Sequence, residues 1–388
     1  MSTGVIQYTI RRLEIPMRVS FKHASAERTV SESVWVEAKR GTLTGLGEGC
    51  PRRYVTGETL DGAIAWAQAK VACVSANVTT LASLKHFVDE HRSEIDTNPS
   101  AWCAIELATL DLLAQEQNVS IERLLGVNES KTRFQYTAVL SADDPAKYEK
   151  NLKRFLRFGF SDFKLKVVAD ASLDYPRIDE LKTKVSPGYR LLWPPVRLLA
   201  STWATRSPLD FRLRLDGNNA WAGREQEIYP FLDKIPLRPW AIEEPFAAHD
   251  FRAMAELSQR EQLGIILDES LCNWGDIARA TKHEARWVAN LRVSKMGGLL
   301  RSLAIVDELK KQNWEIIVGA QVGETSVLSR AALVVARAAG DLLTAQEGAF
   351  GSMLLEKDIA QPEIKFGLAG ILQNPSAQSK GLGLRQES

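Results

Sequence analysis

Short apolar runs that end against a charged residue recur along this chain at the length of one strand plus one helix, and that rhythm restricts the fold more than any other feature. The runs Phe211-Arg-Leu-Arg-Leu215, Trp240-Ala-Ile242 and Gly264-Ile-Ile-Leu267 end against Asp216, Glu243 and Asp268. Carried on to Arg292, the successive ends lie 27, 25 and 24 residues apart. Parallel neighbours need a helical crossover, and a strand, a helix and two short loops occupy about that length. Trp314–Val318 and Asp341–Ala345 continue the series forward, Phe163–Val168 and Phe134–Val139 continue it backward, and the total is eight strands. Eight such strands close a TIM-type barrel whose strand ends gather at one mouth.

One interval breaks the rhythm. Lys166 and Asp216 are 50 residues apart, and the surplus lies near 188–208, where Pro194-Pro195 cannot sit inside a helix. The stretch reads as an insertion between the second helix and the third strand. It opens on the barrel's N-terminal face, away from chemistry, so a packing or subunit-contact excursion is expected rather than a lid.

The first part of the chain has a different texture. Ser33–Ala38 alternates like a strand, with glycine turns after it at Gly41 and Gly45, and Asn98–Ala114 has helical periodicity with Ser100 as the candidate N-cap. The expected division is an α+β domain over 1–130, a barrel over 131–350, and a segment over 351–388 that returns toward the first domain. The polar tail after Asn374 reads as loose.

Charge excludes several functions. The 49 basic and 48 acidic residues leave a formal charge of +1, so neither nucleic acid nor a membrane surface is an expected partner. Cys50, Cys73, Cys103 and Cys272 fit no zinc pattern and read as reduced thiols of a cytoplasmic protein. The N-terminus lacks a basic, apolar leader, and charges interrupt every apolar run well short of the roughly 18 residues a membrane helix needs.

The charged strand ends carry the chemistry. Three carboxylates converging at a barrel mouth suit a hard divalent cation, Mg²⁺ before zinc, with Mn²⁺ as an alternative. Lys164 and Lys166 are two apart on a strand and share a face. Two neighbouring ammonium groups, with a metal nearby, lower each other's pKa, so one can act as a neutral base.

The ordered set Lys164-x-Lys166, Asp216-Gly-Asn, Glu243-Glu-Pro, Asp268-Glu-Ser and Lys295-Met-Gly-Gly resembles the muconate-lactonizing subgroup of the enolase superfamily. Gly47-Glu-Gly-Cys-Pro, Tyr54-Val-Thr-Gly-Glu58 and Arg123-Leu-Leu-Gly126 resemble that subgroup's capping domain. The resemblance implies abstraction of a proton α to a carboxylate, with a metal-stabilised enediolate. It implies Asp216, Glu243 and Asp268 as metal ligands, Lys166 as base and Lys164 as its electrostatic partner. Only one of Glu243 and Glu244 can point inward on a strand, and the family pattern selects Glu243.

The sixth strand departs from the pattern. Racemases of the subgroup carry a second lysine where this chain has Arg292, a group that stays protonated and serves poorly as a carbon base. The expected activity is therefore one-base chemistry on a small carboxylate, a cycloisomerase or β-elimination lyase. The alternatives are an N-acylamino acid racemase or dipeptide epimerase, and a barrel that binds metal and carboxylate without turnover. Lys295 lies on the other side of the pleat from Arg292 and reaches inward only if the strand ends early. His23 and Arg28, in a loop placed like the subgroup's mobile capping loop, and Glu324 at the seventh strand's mouth complete the candidate substrate contacts. Association into homo-oligomers is expected from the family.

Overall fold

The computed structural model describes residues 4–23, 26–141, 144–185, 211–373 and 379–387, so the insertion near 188–208 lies outside the described residues. The chain opens with an antiparallel sheet of β1 (Gln7–His23), β2 (Ala26–Arg40) and β3 (Leu43–Gly49), in the order β1-β2-β3. Six helices follow: α1 (Arg53–Thr56), α2 (Leu60–Asn77), α3 (Leu81–Glu90), α4 (Arg92–Thr97), α5 (Pro99–Glu116) and α6 (Ile121–Leu125).

Helix α5 lies directly on β3 because the strand offers glycine where the helix comes close. A Cβ on Gly45, Gly47 or Gly49 would sit 2.1, 1.9 and 1.9 Å from the carbonyl oxygens of Ala108, Ala104 and Ser100. Two residues of strand advance about as far as four of helix, so the two series stay in step. Gly45 is thus a close-approach residue inside β3, not a turn, whereas Gly41, at φ +62°, does turn the chain. Ser100 is not the N-cap of α5: the remote Glu58 carboxylate accepts from the backbone N–H groups of Ser100 (3.0 Å) and Ala101 (3.1 Å).

Phe134–Val139 divides instead of forming one strand. β4 (Arg133–Gln135) pairs with a strand of the tail, and β5 (Ala138–Leu140) begins the barrel. The chain then alternates: α7 (Pro145–Arg157), β6 (Asp162–Lys166), α8 (Ala171–Val185), β7 (Arg212–Asp216), α9 (Ile228–Lys234), β8 (Ala241–Glu243), α10 (Phe251–Glu261) and β9 (Gly264–Leu267). It continues through α11 (Trp274–Ala280), β10 (Trp287–Leu291), α12 (Leu299–Lys311), β11 (Glu315–Val318), α13 (Ser326–Ala339) and β12 (Leu343–Gln346). β5 through β12 form one eight-stranded sheet with parallel neighbours, and Thr137 N donates to Gln346 O (2.8 Å) across the seam. The fold is a TIM-type barrel behind an N-terminal α+β domain.

Among the described residues no α-helix follows β12. The chain instead lays down β13 (Ala360–Gln361), β14 (Ile371–Gln373, paired with β4) and β15 (Arg385–Gln386, paired with β13). Residues 379–387 are not loose: Leu382 is fully buried, and its N–H donates to Asp111 Oδ1 (2.7 Å) on α5. No described helix is long and apolar enough to cross a membrane.

Candidate active site

Strand register brings the predicted groups together. Lys166, Asp216 and Glu243 are direct neighbours across β6, β7 and β8, and Asp268 stands two residues beyond the partner of Glu243 on β9. Lys164 Nζ donates to both oxygens of Glu243 (3.0 and 2.9 Å) and lies 3.1 Å from Asp216 and from Glu347. Lys166 Nζ donates to Asn218 Oδ1 (2.8 Å) and lies 3.5 Å from Asp216 Oδ2.

Glu243 points inward and also accepts from Asn290 Nδ2 (3.1 Å). Glu244, at φ +38°, turns its carboxylate to the next loop and accepts from the N–H groups of Asp268 and Ser270, both at 2.7 Å. Asp268 is held from two sides. Arg292 pairs with its Oδ2 and donates to Gln321 Oε1 (3.0 Å). Lys295 Nζ donates to Asp268 Oδ1 (3.0 Å), Asp268 O (2.7 Å) and Asn290 O (2.8 Å).

The charges are buried and interlocked. Burial pushes Glu243 up to about 8, with Asp216 and Glu347 adding to the effect and Lys164 opposing it. Burial also acts to raise Asp216 and Asp268, but Lys164 and Lys166 hold the first below the usual carboxylate range, and Arg292 and Lys295 hold the second below it. Lys164 is governed by its carboxylate neighbours. Burial pulls its ammonium down, yet Asp216, Glu243 and Glu347 more than offset that and raise it above the ordinary lysine value.

A cavity of about 220 Å³ opens on this cluster, with Lys164, Lys166, Asp216, Asn218, Glu269 and Arg292 in its walls. Glu324 also lines it, and burial raises that carboxyl to about 8. Lys295 is fully buried beneath Asp268 and is not in the wall. Arg28 is likewise outside the wall and pairs with Glu32 (3.5 Å), while the side chain of His23 lies outside the described residues.

Sequence reasoning missed Glu347 and Arg214. Glu347 follows β12 directly and joins Lys164 to Arg214, which donates to it at 2.6 Å from inside the barrel. It is another acid ending an apolar strand, two residues past the expected end of that strand. Asn218 was visible in Asp216-Gly-Asn, but its bond to Lys166 was not.

Among the described residues no three His, Cys, Asp or Glu side chains stand, as placed, in a group that could hold a metal ion. As placed, the acids pair with cations of the chain: the Lys164 ammonium bridges Asp216 and Glu243, and Arg292 and Lys295 pair with Asp268. The donor set itself is three buried carboxylates on adjacent strands, which is oxygen chemistry suited to a hard divalent cation.

Comparison with known proteins agrees with the architecture. The family described as Enolase C-terminal domain-like matches residues 147–385. The N-succinyl-L-Arg/Lys racemase of Bacillus cereus is 25% identical over 86% of this chain and 83% of its own length. The hydrophobic dipeptide epimerase of Enterococcus faecalis is 25% identical over 89% of this chain and 90% of its own. Among solved structures, a dipeptide epimerase from Cytophaga hutchinsonii, complexed with Mg and the dipeptide D-Ala-L-Val, shares the fold at a TM-score of 0.81 and 22% identity, covering 99% of this chain and 97% of that one. With more than half its length matched by the family, the chain belongs to the enolase superfamily.

Proposed function

We propose that the protein is a Mg²⁺-dependent enzyme that removes the proton α to a carboxylate on a small substrate, with Lys166 as the base. The observation that carries this is Lys166 itself. It lies in the cavity wall beside Asp216, while Lys164 is committed to Asp216, Glu243 and Glu347. Asp216, Glu243 and Asp268 fit a divalent cation by their donor chemistry, and the ion, when bound, supplies positive charge where the substrate's carboxylate gains electron density. Lys166 takes the proton, Asn218 orients its ammonium, and Lys164 keeps positive charge between two of the acids.

Opposite β6, the barrel presents Arg292 from the end of β10. A guanidinium stays protonated and holds an anion better than it accepts a proton from carbon. The reading is therefore one-base chemistry, cycloisomerisation or β-elimination, with Arg292 steadying the substrate's anion. Similarity to racemases and epimerases favours a second reading, α-inversion of an N-acylated amino acid or dipeptide, with Lys295 or Arg292 adapted to the second face.

One experiment separates the readings. A panel of N-acetyl- and N-succinyl-amino acids and dipeptides is incubated with Mg²⁺ and enzyme in D₂O, and α-deuterium and configuration are followed by NMR and chiral chromatography. Exchange or elimination without inversion is the expected result. Exchange with inversion selects the second reading, and no exchange across the panel overturns both.

A further inference from the structure

The catalytic cavity does not stop at the charged cluster. It continues along one face of α7, where Lys147, Asn151, Arg154 and Phe155 follow each other at helical spacing, and its far walls are apolar. Phe155, Phe158 and Phe160 line it together with Phe350, Met353 and Leu354. The space has a topological cause. A regular barrel would lay a helix after its last strand, but here the described chain beyond β12 holds no α-helix, and residues of that segment share the cavity lining with α7.

The walls are fixed by aromatic packing. Phe160 meets Phe155 edge-on at 5.1 Å and Phe366 at 5.3 Å, and Phe366 meets Phe350 at 5.2 Å. Such a chain of edge-to-face contacts holds each ring against its neighbours. A pouch with rigid aromatic walls, continuous with the reacting centre, suits a large apolar group attached to the same molecule as the reacting carboxylate.

The geometry points to a substrate whose non-reacting arm is aromatic or long aliphatic, seated between α7 and the 350–354 segment while its carboxylate faces Lys166. The inference rests on the proposed α-proton chemistry but is tested separately from it. The size and polarity of the arm, not the reacting end, set the preference. Met353 on the segment side is the residue to change, since it lines the pouch without joining the ring contacts.

The test compares N-acetyl and N-(4-phenylbutanoyl) forms of the same amino acids, with Mg²⁺, in the parent, Met353→Glu and Met353→Leu proteins. The parent is expected to favour the phenylbutanoyl form by about tenfold or more in kcat/KM for α-deuterium exchange. Met353→Glu is expected to collapse that ratio toward one, and Met353→Leu to keep it. Thermal shift with the phenylbutanoyl probe gives a second readout that needs no turnover. A stabilisation seen with the parent and lost in Met353→Glu supports the pouch even if no compound exchanges, an outcome that sinks only the catalytic reading. Equal ratios in the parent, or a probe shift unaffected by Met353→Glu, overturn the pouch.

Discussion

Asp268 shows how single residues both follow the sequence and escape it. The pleat argument placed Lys295 away from Arg292, which holds only while a strand continues. β10 ends at Leu291, the chain turns with Met296 N donating to Arg292 O (2.9 Å), and Lys295 comes back beneath Asp268. The two cations therefore share one carboxylate from different directions. The residue types were legible because an acid or a base at a strand end repeats at barrel spacing. Their partnerships were not, because Lys164 meets Glu347 over the barrel's seam from far along the chain and no local pattern records that. Arg292→Lys would give a side chain that can lose its proton and is expected to bring α-inversion up by about 10²-fold or more over the parent, read as appearance of the opposite configuration in H₂O. Unchanged stereochemistry would show that position 292 does not limit the outcome.

Among the elements, the most exposed to a single substitution is the contact of β3 with α5. Gly47 sits where a Cβ would be 1.9 Å from Ala104 O, and both partners there are backbone. Gly47→Ala is expected to cost at least about 2 kcal/mol, visible as a lower urea midpoint at unchanged slope. A change below a few tenths would mean the helix moves away freely. Helix capping was less legible than helix existence. Glu48 on β3 accepts from Thr325 N (3.1 Å) and Thr325 Oγ1 (2.6 Å) at the start of α13, far along the chain. Thr325 caps α13 locally and Glu48 anchors that cap, whereas the N–H groups at the start of α5 go to Glu58, a distant partner that leaves no mark beside Ser100. The strands of the barrel were easier, since most are apolar runs and several end at a charge, and the splitting of Phe134–Val139 depends on a tail strand far away in sequence.

In the whole molecule, buried acids join the N-terminal domain to the barrel. Glu106 on α5 accepts from Leu300 N (2.9 Å) at the start of α12, and Trp102 Nε1 donates to it (3.1 Å). Gly298 makes room, since a Cβ there would lie 2.3 Å from Glu106 Oε1. Burial pushes the Glu106 carboxyl up to about 7. A raised folded-state pKa means that the folded protein binds the proton more tightly, so its contribution is complete below the unfolded value and is lost as pH rises through about 7. Glu106→Gln is expected to reduce the loss of stability between pH 5 and 8 by about 2 kcal/mol, measured by denaturant unfolding at each pH. An unchanged pH profile would show that the joint carries no proton in that window.

The proposed cation has a whole-molecule consequence as well. Mg²⁺ at about a hundredfold over its dissociation constant is expected to add about 2.7 kcal/mol of stability, and Glu243→Gln to diminish the resulting rise in Tm. No Mg²⁺-dependent rise in the parent would contradict the cation assignment.

The central claim is that Lys166 removes the α-proton, and the direct test is α-deuterium exchange in D₂O with Mg²⁺, comparing the parent with Lys166→Ala on the panel compound that the parent exchanges fastest. Lys166 lies within 3.5 Å of Asp216 at the cavity wall, so loss of its amine is expected to slow exchange by about 10³-fold while the unfolding midpoint stays near that of the parent. Exchange at the parent rate in Lys166→Ala would contradict the account.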